Sequence, residues 1–357
     1  MVVKEKNSVI MKHLFMIAML AALFSGCGNG KNNEAVKTVG AEEFAKVMAQ
    51  KDVRLIDVRT PKEYAEGHLV GSENIDVKAD DFVERIQGIQ GTVAVYCRSG
   101  KRSMMAAAQL ADNGCTVYNL DGGILAWQKA DKPTTTVETD IFATPSGKLV
   151  KIHALMHSSI RIEYDGREIE IDPCSKLRER TVDYTALPKA DILLVTHEHF
   201  DHYDSATLSL LTAKQTQLVM NRRCVEMYGA GTAMDNGDRQ QLADDIMLEA
   251  VPAYNTTEGH LQFHPKGRDN GYILTLDGLR IYIAGDTEDI PEMDNIKDID
   301  IAFLPCNQPY TMTPEQLVRA AKRVLPKVLF PYHYGDTDIS GIPAQLPDGD
   351  VRIRHYE

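Results

Sequence analysis

The 357-residue sequence contains no Cys-x-x-Cys pair, and its six cysteines follow no regular spacing. That absence excludes a disulfide-built scaffold, which shows recurring intervals between its cysteines. Cationic side chains are also in deficit: 39 lysines and arginines stand against 51 aspartates and glutamates, a formal net charge of -12. A nucleic-acid binder needs basic stripes to displace counterions from phosphate, so nucleic acid is excluded as a partner. No internal repeat and no low-complexity tract is present. Long apolar runs are missing as well. The longest near the start, Leu14 to Phe24, has eleven residues, and a bilayer-spanning helix needs about 20.

What that short run does provide is a targeting signal. It follows Lys12 and His13 and leads into Ser25-Gly26-Cys27. Small residues before a cysteine resemble a bacterial lipobox, although Phe24 departs from the usual residue there. The resemblance implies that residues 1–27 are a lipoprotein signal peptide, that Cys27 is lipidated, and that the protein is exported. It would be anchored to a membrane, facing the periplasm. Residues 28–36 (GNGKNNEAV) are polar and fit a tether.

From residue 37 the pattern is one of short apolar runs alternating with amphipathic stretches. Val53–Ile56, Val93–Tyr96 and Val117-Tyr118 read as strands and Ser103–Asp112 as a helix. Such alternation implies a parallel sheet covered by helices, an α/β domain. It stops near Lys132, and residues 133–146, opening with Pro133-Thr134-Thr135-Thr136, have linker chemistry. Beyond them come hairpin signals at Asp165-Gly166 and Asp277-Gly278, a strand at Ile192–Val195, and a helix start at Thr313-Pro314-Glu315. A further strand, Val328–Phe330, runs toward His333.

In the first domain, Tyr96-Cys97-Arg98-Ser99-Gly100-Lys101-Arg102-Ser103 sets a cysteine where a strand ends and a helix begins. That geometry aims backbone N–H groups at one point, and three basic side chains add positive charge, so the thiol is expected to be acidic and nucleophilic. With Asp57-Val58-Arg59, Gly67-His68, Asp121-Gly122-Gly123 and Trp127, residues 37–132 resemble a rhodanese domain. The resemblance implies that Cys97 carries a persulfide between a sulfur donor and a thiol acceptor. Arg98, Ser99, Gly100, Lys101, Arg102 and Ser103 would form the loop holding the anionic sulfur. Asp57 and Arg59 are expected to be framework, and Trp127 core.

In the second domain, His197-Glu198-His199-Phe200-Asp201-His202 follows a strand directly. Three imidazoles and a carboxylate within six residues are costly to bury without a cation to satisfy them. The run resembles the HxHxDH signature of the metallo-β-lactamase fold, over residues 147–357. The resemblance implies an αββα sandwich and two divalent metal ions, zinc before manganese or iron, with a hydroxide between them as nucleophile. It assigns His197, His199 and His264 to one ion, and Asp201, His202 and His333 to the other. Asp286 bridges them, and Asp201 also orients the hydroxide. His260 rivals His264 as the third-motif ligand. Asp172 matches a structural aspartate of the family.

Met156-His157-Ser158-Ser159, His264-Pro265-Lys266-Gly267 and Pro309-Tyr310-Thr311-Met312 resemble the branch related to L-ascorbate-6-phosphate lactonase, which would set His157 near a small-molecule substrate. The expected reaction is hydrolysis of an ester, lactone, amide or phosphoester. Two alternatives stand beside it. One is a persulfide dioxygenase using a single iron, although in such fusions the rhodanese usually follows the metal domain. The other is a rhodanese module that only binds or senses sulfur species.

Overall fold

The computed structural model describes residues 35–356, so Cys27 and the expected signal peptide lie outside the described residues. Seven strands belong to the first part of the chain: β1 (Val36–Val39), β2 (Val53–Asp57), β3 (His68–Leu69), β4 (Glu73–Asn74), β5 (Thr92–Tyr96), β6 (Thr116–Leu120) and β7 (Thr134–Thr135). Five of them form one parallel sheet in the order β1-β6-β5-β2-β4. Their residues alternate between two apolar cores, as a strand period of two requires. Ile56, Val93 and Val95 meet Ala106 and Leu110 of the helix Lys101–Asp112, while Leu55, Ala94 and Tyr96 meet Phe44 and Trp127 on the other face.

The second part begins earlier than the composition indicated. Residues 139–143, inside the stretch read as linker, form β8 (Thr139–Ala143), the edge strand of a seven-stranded sheet. β-Branched Thr and Ile favour extended pairing even among loop-forming neighbours. After β8 come β9 (Leu149–Met156), β10 (Ser159–Tyr164), β11 (Arg167–Ile171), the small hairpin β12 (Lys176–Leu177) and β13 (Arg180–Thr181), β14 (Ile192–Val195), β15 (Gln217–Asn221) and β16 (Thr232–Met234). The second sheet is built from β17 (Arg239–Ala243), β18 (Ile246–Ala253), β19 (Asp269–Leu276), β20 (Leu279–Ile283), β21 (Ile301–Pro305), β22 (Val328–Tyr332) and β23 (Asp350–Val351).

The two sheets close on one core. Ile160, Ile169 and Leu194 from the first pack with Leu248, Leu274, Ile281 and Phe303 from the second. The helix Ser205–Leu211 covers the first sheet outside, and Pro314–Val324 covers the second, giving an αββα sandwich. Pro314–Val324 starts where expected, with Thr313 and Gln316 exchanging hydrogen bonds in a capping box.

The connection between the domains is stitched down. β7 pairs antiparallel with β3, His68 Nε2 lies 2.8 Å from Val137 O, and Arg54 donates to Ile141 O at 2.9 Å.

Candidate metal centre and thiol loop

In the sandwich, the chemistry-bearing side chains leave strands from both sheets at one edge. Asp172 follows β11, His197 follows β14, Asp286 follows β20 and His333 follows β22. Asp286 needs Gly285 before it. A Cβ there would come within 2.7 Å of Asn270 O, and the residue has φ +64°.

Among the described residues three groups bring potential ligand atoms within 4.8 Å of one another: His197, His199, His264 and Asp286; His202, Asp286 and His333; and His157, Asp201 and His333. Asp286 Oδ2 stands 3.4 Å from His264 Nε2 and 3.2 Å from His333 Nε2, and its Oδ1 3.2 Å from His202 Nε2. It is therefore shared between two groups. Every sequence-assigned ligand falls in one of these groups. His260 does not; its Nδ1 faces Glu288 Oε1 at 3.7 Å. His157 lines the same cavity and stands in the third group.

The outward nitrogens are fixed from behind. His202 Nδ1 lies 2.8 Å from Asp172 Oδ2, and Asp172 also accepts from the Thr196 N–H and hydroxyl. His264 Nδ1 lies 2.9 Å from Asp269, whose carboxylate is gripped by Arg268 at 2.7 and 2.8 Å. Asp269 and its brace went unread in the sequence; the only signal was a carboxylate five residues past a ligand histidine. With one nitrogen so held, each ring presents Nε2 inward.

These inward atoms test whether metal ions fit. Nε2 of His197, His202, His264 and His333 and Oδ1 of Asp286 are buried and complete no hydrogen bond of good geometry. Polar atoms left so in an interior cost stability unless a cation satisfies them, and nitrogen-rich ligation with carboxylates suits zinc. Electrostatics divide the rings: the Asp286 carboxylate outweighs burial at His202 and His333 and raises both. Burial holds His197 and His199 well toward the neutral, ligating form. Burial works against ionising Asp286, but the imidazoles of His333 and His202 outweigh it and keep the carboxyl well below the usual range.

A cavity of about 510 Å³ opens onto the groups. Phe200, Phe263 and Tyr310 line its mouth, with Phe200 76% and Tyr310 45% exposed, and Arg178 stands at the rim. Cys174 and Cys306 are buried and join none of the three groups.

In the first domain, Cys97 directly follows β5 and is buried. Burial opposes its thiolate, but the Ser103 hydroxyl, 3.4 Å away, and the backbone N–H groups of Ser103, Ser99 and Gly100 outweigh it. The thiol is held below its ordinary value. Gly123 makes the loop compact, because any Cβ there would collide with Cys97 O and the Arg98 carbonyl. Arg98, Ser99 and Lys101 are exposed. Arg102 differs from the expectation of a cation free for the thiol: it forms a two-bond pair with Glu63 at 2.7 Å each. Asp57 and Arg59 form a buried ion pair that also ties Gly67 O, and Trp127 lies in the core.

Comparison with known proteins matches residues 151–333 to the beta-lactamase superfamily domain and residues 40–130 to the rhodanese-like domain. A UPF0173 metal-dependent hydrolase of Koribacter versatilis is 30% identical over 221 residues, covering 55% of this chain and 90% of that protein. A crystal structure assigned to a metal-dependent hydrolase of Parabacteroides distasonis is 50% identical, with TM-score 0.60, covering 62% of this chain and all of that one. Igni18, a metallo hydrolase from Ignicoccus hospitalis, is 27% identical with TM-score 0.50, covering 57% of this chain and 94% of its own. These relatives carry no substrate in their names and lend no support to the ascorbate-6-phosphate lactonase branch.

Proposed function

The chain belongs to the beta-lactamase superfamily, and from that premise we propose that its C-terminal domain hydrolyses a small ester, lactone, amide or phosphoester. Two divalent metal ions, zinc foremost, would serve the site. The observation that carries this reading is the set of buried inward imidazoles sharing Asp286 between two groups. His197, His199, His264 and Asp286 would hold one ion; His202, His333, Asp201 and the shared Asp286 would hold the other. When bound, such ions supply Lewis acidity and bring water near a pKa of about 7.

The chain's own residues do the rest. Asp172 and Asp269 hold His202 and His264 in the ligating orientation through their Nδ1 atoms. Asp201 Oδ2 stands 3.3 Å from His157 Nε2 and 3.5 Å from His333 Nε2, where its carboxylate can aim an attacking water. The aromatic mouth and a cavity of about 510 Å³ fit a small molecule with an apolar part. His199→Ala and Asp286→Ala should each abolish turnover of a chromogenic ester and phosphodiester panel and lower metal content, while His260→Ala stays near wild type. Full turnover by both ligand variants would refute the site. Two zinc ions per chain in protein purified without added metal favour hydrolysis; one iron with oxygen consumption would favour the dioxygenase instead.

A second reading concerns the first domain. The ring of N–H donors on Cys97 supports persulfide transfer from a sulfur donor to a thiol acceptor, in preference to a silent binding module. Export rests on the run Leu14 to Phe24 with the Ser25-Gly26-Cys27 that follows it, and membrane anchoring on Cys27. Metabolic fatty-acid labelling that persists in Cys27→Ala would overturn the anchoring. Among the described residues no helix is long and apolar enough to cross a membrane.

A further inference from the structure

We propose that His157, which lies outside the HxHxDH run and the three later motifs, is itself a ligand of the second metal ion, through Nε2, beside Asp201 and His333. The inference rests on the two-ion reading above and adds a sixth imidazole to it.

Three observations point there. The first is spacing. Around a five-coordinate zinc with bonds of roughly 2.0–2.1 Å, neighbouring donor atoms stand roughly 2.9–3.6 Å apart. His157 Nε2 is 3.3 Å from Asp201 Oδ2, and Asp201 Oδ2 is 3.5 Å from His333 Nε2. These separations are close to those among the ligands the sequence does identify, 3.2 Å for His202 to Asp286 and 3.2 Å for Asp286 to His333.

The second is backbone restraint. His157 has φ +52° and His333 φ +49°, both in the left-handed region that a histidine adopts at a cost. The two are locked together: His333 N–H donates to His157 O at 3.3 Å, and their rings lie 3.8 Å apart. On the other side the His157 N–H donates to Tyr356 O at 2.8 Å. Strained backbone is retained where its surroundings over-determine it, and here both strained residues aim imidazoles at one carboxylate.

The third is position. His157 is buried in the β9–β10 turn against the end of β22 and faces the cavity beside Asp201 and His333. The rival role is a plain hydrogen bond from Nε2–H to Asp201, which would leave the ring unligated.

Cobalt separates the two. Every imidazole bound to cobalt(II) shows a strongly hyperfine-shifted, exchangeable ring N–H signal in proton NMR. Wild-type protein loaded with two equivalents of cobalt should show six, from His157, His197, His199, His202, His264 and His333. His157→Gln should lose one of them and bind its second cobalt about tenfold or more weakly. Five shifted imidazole signals in wild type, or an unchanged number in His157→Gln, overturns the assignment while leaving the hydrolase reading intact. The wild-type measurement alone decides the matter if the variant does not fold. A wild-type protein that binds no cobalt, zinc or manganese overturns both.

Discussion

Cys97 and Cys306 each sit just past a strand, each buried, yet their surroundings drive the two thiols apart. Around Cys97 a hydroxyl and three N–H groups favour the thiolate; around Cys306 burial is met by no such donors, and Glu315 adds like charge, pushing the thiol up to about 12. Burial likewise raises Cys115, Cys174 and Cys224. Since the thiolate is the nucleophile, Cys97 should be alkylated by iodoacetamide at pH 7 at least about tenfold faster than the other four. Lowering the pH through the Cys97 value protonates the thiolate and slows its reaction; raising it speeds the others only after Cys97 is already ionised. Mass-spectrometric mapping after brief exposure checks this, and thiocyanate release from thiosulfate and cyanide should vanish in Cys97→Ser. Equal labelling with undiminished release would leave the domain a binding module. The thiol was legible because its motif is contiguous. His264 was legible only through its place before a strand, and Asp269 not at all, because a partner that touches a ligand from behind leaves no spacing rule in the sequence.

Element boundaries were clearest where periodicity was strong. β14 matches the sequence reading at both ends, and the helix after Thr313 starts at its Pro. β8 was hidden because Thr-rich polar residues look like loop. Its partner in energetic terms lies far along the chain: Arg352 and Arg354 both close on Asp140, at 2.8 and 2.7 Å. Burial opposes the Asp140 charge, but the two guanidinium groups hold the carboxyl down to about 2. Its folded value is depressed, so the stabilisation is present above the ordinary carboxyl value near 4 and lost as pH falls toward 2. Removing one member of such a buried cluster strands the rest. Asp140→Ala should cost about 3–5 kcal/mol at neutral pH, read as a lower denaturant midpoint, and should flatten the acid limb of the stability curve. An unchanged midpoint would mean the arginines find water instead.

At the scale of the whole molecule, two domain patterns could be read from the chain, but their joining could not. β3 with β7, and Arg54 with Ile141, depend on edges and carbonyls that no composition reports. The metal groups sit wholly within the second domain. Chelation with EDTA should therefore lower the unfolding temperature of the sandwich and leave the parallel-sheet domain less affected. Restoring zinc at about 1,000 times its Kd should return about 4 kcal/mol. Hydrogen exchange resolved by segment checks both parts: loss of protection should centre on β14, β20 and β22. Uniform loss across β2 and β5 as well would show that the stitched connection makes the two domains unfold as one.

Tyr356 closes the circuit between the far end of the described chain and His157, through a single carbonyl. That gives the ribosome a part in the story. Both sheets can be complete before this residue is made, and a message that stops after Arg354 still delivers the two arginines to Asp140. What it omits is the Tyr356 ring from the core and the carbonyl that pins His157 in its left-handed turn. A late nonsense change should thus yield a protein that accumulates, folds and reads as intact on a gel, yet loads its second metal poorly. A genetic screen that scores abundance would pass it, and one that scores metal would not.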